Sequence, residues 1–200
     1  MNLSEPNMKI AIDVDNTITD TFNKMVEYCE IYNKNILKKD IKRNGVGSSQ
    51  KMYNWTDKEQ VNFAITYFPL YALELELKEH SKEIINKLNE NHEIYILTAR
   101  TENLDPKITG ITKKYLDNKK IKYKYLITDC LDKTKYCKEN KIDILIEDEP
   151  QNILGVSKYL PVIMLSNELN TEFNCENCYR CSNWLEIERI INQLKNSNNE

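Results

Sequence analysis

Glycine is scarce in this 200-residue chain: there are four, at positions 45, 47, 110 and 155, and none falls between Ile10 and Asp20. Dinucleotide and P-loop sites need glycines at the first strand-to-helix turn, where backbone must approach a phosphate closely. Both readings are therefore excluded. Long apolar runs are missing too: no window approaches the 18 or more apolar residues of a membrane span, and "MNLSEPNMK" holds no stretch of signal-peptide length. The expectation is a soluble, cytoplasmic protein without a membrane partner. An excess of positive charge is also absent, since 28 Lys and Arg against 31 Asp and Glu leave a net charge of −3. No global basic field favours a stable nucleic-acid partner, so an anionic substrate must be captured locally.

Histidine is limited to His80 and His92, both distant from the one cysteine cluster, Cys175-Glu-Asn-Cys178-Tyr-Arg-Cys181. Three thiolates without a nearby fourth ligand make a poor zinc site. The six cysteines (Cys29, Cys130, Cys137, Cys175, Cys178, Cys181) of a chain without an export signal are expected as reduced thiols rather than a disulfide framework. Cys178 or Cys181 is expected to fill a buried strand position.

What is present is a series of short apolar runs, each ending in polar or acidic residues: 8–13, 92–98, 124–128, 142–148 and 160–165. Near-continuous Ile, Leu and Val in runs of this length suit strands covered on both faces, and hence a parallel sheet. Helical patterns separate them at 78–91, 105–118 and 183–195. The fold class is α/β, a doubly wound (Rossmann-like) parallel sheet. Residues 19–79 break the alternation, being too long for one crossover and rich in aromatics. They predict a small helical cap inserted after the first strand, with residues 1–18 and 80–200 forming the core. The aromatics Trp55, Phe63, Tyr67 and Phe68 suit packing within that cap better than stacking on a base; Phe63 and Tyr67 have the spacing of one buried helix stripe. No repeat is found, and the only low-complexity run is the Asn-rich tail at 196–200, expected to fray.

Ligands of doubly wound sheets bind at the carboxyl ends of the strands. In order, those ends offer Asp13 and Asp15, Thr98, Lys133, then Glu147 and Asp148. Crowded carboxylates raise the cost of ionising one another unless a cation sits among them. An all-oxygen shell with room for water and phosphate favours Mg²⁺. With the metal present Asp13 can stay ionised as a nucleophile while Asp15 carries a proton. A receiver domain offers similar residue types, but its acid pair comes first and none follows the lysine.

Asp13-Val-Asp15-Asn-Thr17 resembles the first signature of the haloacid dehalogenase (HAD) superfamily of aspartate-nucleophile phosphatases. "LTAR" with Thr98, "LDKTK" with Lys133 and "LIEDEP" with Glu147 and Asp148 follow in the superfamily's order. With the helical cap and the closing "SNWLEIERII", residues 8 to 195 resemble the cytosolic-type 5'(3')-deoxyribonucleotidases and their bacterial nucleotidase relatives. The resemblance implies that Asp13 attacks phosphorus to give an aspartyl-phosphate and that Asp15 handles the leaving-group proton. It implies that Thr98, the Ala99 amide and Lys133 bind the phosphoryl group, and that Mg²⁺ is held by the Asp13 side chain, the Asp15 carbonyl and Asp148. Glu147 is left to orient metal-bound water or to brace its neighbours. Arg100, grouped with the substrate-binding residues, either meets a second charge on the substrate or pairs with a cap acid. Asn16 stands where relatives often carry glycine, and asparagine tolerates the unusual backbone of such a turn.

The implied activity is Mg²⁺-dependent hydrolysis of a small phosphate ester, a (deoxy)nucleoside monophosphate above all. The alternatives are another small phosphate ester, a nucleic-acid 3'-phosphate end, or a non-catalytic binding module on the same scaffold.

Overall fold

The computed structural model describes residues 8–103 and 105–197. Six parallel strands form one sheet in the order β3-β2-β1-β4-β5-β6: β1 (Lys9–Ile12), β2 (Glu93–Leu97), β3 (Tyr125–Ile127), β4 (Ile144–Glu147), β5 (Val162–Leu165) and β6 (Cys178–Cys181). The chain winds outward from β1 through β2 to β3, then crosses to the other side and continues through β4 to β6. The reversal places a topological switch point beside β1, where the carboxyl ends of β1 and β4 lie together.

The two-residue period of β1 explains how both faces are filled. Ile10 and Ile12 join Ile94, Ile96, Ile144 and Ile146 in one apolar cluster, while Ala11 joins Tyr95, Leu97 and Leu145 in the other. Helices α4 (Ser81–Leu88), α5 (Ile108–Lys119) and α8 (Trp184–Ser197) cover the first face. Helices α6 (Lys133–Glu139) and α7 (Pro150–Val156) cover the second. Central strands β4 and β5 are buried throughout, which is why they read as continuous apolar runs. Edge strands β3 and β6 expose Tyr125 and Tyr179. Helix α8 reaches Ser197, and the rest of the Asn-rich tail lies outside the described residues.

Between β1 and α4 the chain builds α1 (Thr21–Tyr32), which runs into a π-helical turn (Asn33–Leu37), then α2 (Ser49–Tyr53) and α3 (Asp57–Tyr71). A capping box starts α3, with Thr56 and Glu59 each satisfying the other's backbone N–H. The incoming and outgoing chain are tied together: Asp20 N donates to Glu76 O and Lys78 N to Ile18 O, both at 2.9 Å. Inside, Tyr32, Trp55, Phe63 and Tyr67 pack ring against ring at 5.0–5.7 Å. The Trp55 indole N–H donates to Asn33 Oδ1 at 2.8 Å, a partner that lets the ring be buried. Trp55 and Phe63 are thus structural aromatics of this segment.

One expectation is corrected. Cys175 and Cys178 are joined by a disulfide, because the turn before β6 brings their Cα atoms to 5.7 Å. Cys29, Cys130, Cys137 and Cys181 are free and buried, and Cys181 fills an inward position of β6. Among the described residues no cysteine belongs to a group able to hold a metal ion. No described helix is long and apolar enough to cross a membrane.

Candidate active site

Asp13 extends the pairing of β1 by one residue, its N–H donating to Ile146 O at 3.0 Å. The chain then turns tightly. Val14 O accepts from Ile18 N, Thr19 N and Thr19 Oγ1, and Asn16 takes φ of 59°, a left-handed conformation that asparagine tolerates. That turn directs Asp15 toward Thr21, whose hydroxyl donates to Asp15 Oδ1 at 2.8 Å.

From the far side of the sheet come the other charges. The Asp132 side chain caps α6 by accepting from Lys135 N at 2.9 Å, so Lys133 opens the helix with its side chain buried. Lys133 Nζ donates to Asp13 Oδ1 and, at 3.0 Å, to Glu147 Oε1. Lys135, the rival of Lys133 in sequence, points out to Glu139 with its side chain exposed. Glu147 is fully occupied: Oε1 also accepts from Asn152 Nδ2, and Oε2 from Asp148 N at 3.2 Å. Asp148 accepts from Thr17 Oγ1 at 3.1 Å and from Asn167 Nδ2 at 2.8 Å.

Thr98 is buried at the end of β2, and Ala99 beside it is exposed. Arg100, expected among the substrate-binding residues, has its guanidinium taken up by Asp15 and by Thr112 Oγ1. The acid it pairs with belongs to the turn after β1, not to the helical insertion.

Electrostatics set these acids apart. Burial and then the Glu147 charge push the Asp13 carboxyl well above its ordinary range, against the pull of Lys133. Burial and Glu147 likewise push Asp148 up to about 7, against its hydrogen bonds from Asn167 and Thr17. Burial also acts to raise Asp15, but the Arg100 charge and the hydrogen bonds from Arg100 and Thr21 outweigh it, and the net direction is down. Were Asp13, Asp15, Glu147 and Asp148 all ionised, the two cations Lys133 and Arg100 would leave two negative charges uncompensated, an excess that the raised Asp13 and Asp148 carboxyls relieve by holding protons. Oxygens of Asp13, Glu147 and Asp148 lie within 4.8 Å of one another, all three residues buried. Such a deficit fits a divalent cation with oxygen ligands.

The sequence pattern names Thr17 only within the first motif and gives no role to it or to Asn152, Asn167 and Asn170, all of which bond to the acid cluster. Asn167 lies two residues past the end of β5, so its signal is the same strand-end position that marks the acids. Asn170 donates to Asp148 O and Leu165 O, both at 2.9 Å, and ties that loop down. A cavity of about 300 Å³ lined by Asn16, Phe22, Lys78 and Asn167 includes neighbours of the clustered acids but none of those acids themselves. A second, of about 770 Å³, is lined by Asn33, Lys34, Lys38, Lys39, Lys42 and Arg43 of the insertion, with none of the clustered acids on its wall.

The family model described as 5' nucleotidase, deoxy (pyrimidine), cytosolic type C protein matches residues 7–197. The chain belongs to this family. A nucleotidase of Clostridium acetobutylicum is 30% identical to this type C nucleotidase family member over 190 residues, 94% of this chain and 95% of the relative. Its fold is shared by a HAD-superfamily hydrolase of subfamily IA, variant 1, from Geobacter sulfurreducens, with a TM-score of 0.64 and 10% identity, covering 98% of this chain and 100% of that one. It is shared too by the magnesium-bound YfnB of Bacillus subtilis, described as a HAD-hydrolase, with a TM-score of 0.63 and 14% identity over 92% and 98% of the two chains. This type C family member is a phosphatase with a HAD-like fold.

Proposed function

We propose that this phosphatase hydrolyses (deoxy)nucleoside monophosphates in two displacements through a phosphorylated Asp13. The reading is carried by one observation: a buried carboxylate at the switch point is braced by Lys133, while a second, two residues on, is held apart by a different cation. Without a metal the two acids are biased against serving as nucleophile and proton donor, burial favouring the proton on Asp13 and Arg100 favouring the ionised Asp15. The reading therefore requires a cation's charge beside Asp13 and a proton that Asp15 takes up as the anionic ester binds.

In the first step an Asp13 oxygen bonds to phosphorus as the ester oxygen leaves, and Asp15 gives that oxygen a proton. In the second, water attacks the acyl phosphate, Asp15 takes a proton from it, and inorganic phosphate departs with Asp13 restored. The Thr98 hydroxyl and the Ala99 amide bind phosphoryl oxygens, and Lys133 offsets charge on them in the transition state. Glu147, saturated with hydrogen bonds, orients Lys133.

Magnesium fits the charge deficit, with the Asp13 side chain, the Asp15 carbonyl and Asp148 to hold it and Thr17 and Asn167 to orient Asp148. When bound it neutralises phosphate charge and aligns the ester for in-line attack. YfnB, which shares the fold, is magnesium-bound, and the relative from Clostridium acetobutylicum is named a nucleotidase. Residues 19–79 act in this reading as the cap that selects the ester.

The test is phosphate release across ribo- and deoxyribonucleoside monophosphates and several sugar phosphates, with and without Mg²⁺, for the natural protein and Asp13→Asn. Mg²⁺-dependent release from nucleotides, absent in the variant, is expected. Equal release by the variant overturns the role of Asp13, and a preference for sugar phosphates overturns the substrate.

A further inference from the structure

Arg100 follows directly after Ala99 in the chain, yet its side chain is only 1% exposed. Nε donates to Asp15 Oδ2 at 3.0 Å and Nη2 to Asp15 Oδ1 at 2.8 Å, a two-pronged contact that fixes the plane of the carboxylate. Nη1 donates to Thr112 Oγ1 at 3.3 Å, which anchors the guanidinium to α5. The Phe68 ring of α3 lies against the cation, 5.4 Å from Cζ to the ring centroid. Four elements thus meet at one guanidinium: the turn after β1, the end of β2, helix α5 and a helix of the insertion.

We propose that Arg100 is the positioning residue for Asp15, fixing the carboxylate that exchanges a proton with the leaving oxygen and linking its placement to the insertion through Phe68. The inference rests on the phosphomonoesterase reading and assigns Arg100 to the acid rather than to the phosphate. Asp15 has no other ion-pair partner among the described residues, and its remaining side-chain hydrogen bond is from the Thr21 hydroxyl. Without Arg100 the carboxylate would keep its place in the sequence but lose what sets its rotation. Lysine would keep the charge but not the two-pronged geometry. Proton transfer contributes about 10²- to 10⁴-fold only where the donor sits within hydrogen-bonding reach of the departing atom, so loss of orientation should be felt in that step.

Two esters separate this role from phosphate binding. A nucleoside monophosphate releases an alkoxide that needs a proton, whereas p-nitrophenyl phosphate releases a phenolate that does not. The ratio kcat/KM reports only the steps through departure of that group, so the later base role of Asp15 does not enter it. Arg100→Lys is expected to lower kcat/KM for the nucleotide about 10- to 100-fold and for the nitrophenyl ester less than about threefold, with the inhibition constant of inorganic phosphate unchanged. Phe68→Leu should show the same asymmetry more weakly. If Arg100→Lys does not fold, as read by circular dichroism, Thr112→Val and Phe68→Leu carry the comparison.

Equal losses on both esters with weaker phosphate inhibition would place Arg100 on the phosphoryl group and overturn the inference, as would no loss on either. If the natural protein turns over an ester and Asp13→Asn does not, such a result sinks this inference alone. If the natural protein turns over neither ester, the functional reading falls and takes this one with it.

Discussion

Lys133 Nζ lies 3.0 Å from Glu147 Oε1 and also contacts Asp13, so one buried ammonium joins the carboxyl ends of β1 and β4. The lysine's charge is favoured by this pairing even though burial alone would depress it. Removing one member of such a group leaves charges buried without compensation, at a cost of about 3–5 kcal/mol. Lys133→Met should therefore lower metal-free stability by about 3 kcal/mol in urea titrations. It should lower kcat by about 10²- to 10³-fold, as expected for loss of a group that stabilises transition-state charge.

The raised carboxyl of Asp148 makes stability depend on pH in a definite sense. Burial pushes it up to about 7 from the 3.8 of a freely solvated aspartate, so the native state binds the proton more tightly than the unfolded chain. That contribution is complete below the lower value and disappears as pH rises through the higher one. Metal-free protein should melt at progressively lower temperature from pH 4 to pH 8, and Asp148→Asn should flatten the trend. Added Mg²⁺ should restore the melting temperature at pH 8, because a ligand that binds only the native state stabilises it. Calorimetric scans with chelator and with Mg²⁺ check both statements.

Asn167 donates to Asp148 at 2.8 Å without being one of the acids. Loss of a group that orients a metal ligand commonly costs about 10- to 100-fold in metal affinity. Asn167→Ala should raise the half-saturating Mg²⁺ concentration by about 10-fold, with little change in kcat once the metal is saturating. A Mg²⁺ titration of phosphate release reads both values.

Trp184 is buried, and its indole N–H donates to Thr17 O at 3.0 Å, pinning the turn that offers Thr17 Oγ1 to Asp148. Trp184→Phe removes that donor and leaves the Thr17 carbonyl short of a partner. A loss of about 1–3 kcal/mol in urea denaturation is expected.

The Cys175–Cys178 bridge closes a loop between residues only three apart, so it restrains little of the unfolded chain. Cys175→Ser should cost no more than about 2 kcal/mol and leave catalysis unchanged, measured by melting and by phosphate release.

The alternation of strands and helices was legible because β1, β2, β4 and β5 are covered on both faces and their residues say so locally. The acids and Lys133 were legible for the same reason, since strand ends in such a sheet are where ligands bind. The disulfide was not: compartment-based reasoning about thiols is silent on whether a local turn brings two of them together. Neither was the π-helical turn at Asn33–Leu37, whose residues carry no periodic signature.

By itself the sequence determined the parallel α/β sheet, the rim at which the acids and Lys133 gather, and the residue types available there, because burial pattern and strand ends are local properties of the chain. Which cation meets which acid was decided only by the tertiary structure. Arg100 and Asp15 are 85 residues apart, Lys133 and Asp13 are 120 apart, and Phe68 reaches Arg100 from another segment altogether. Those pairings follow from how β1, β2 and β4 are laid side by side and how the insertion folds back over them, and pairwise electrostatics acts through space rather than along the chain.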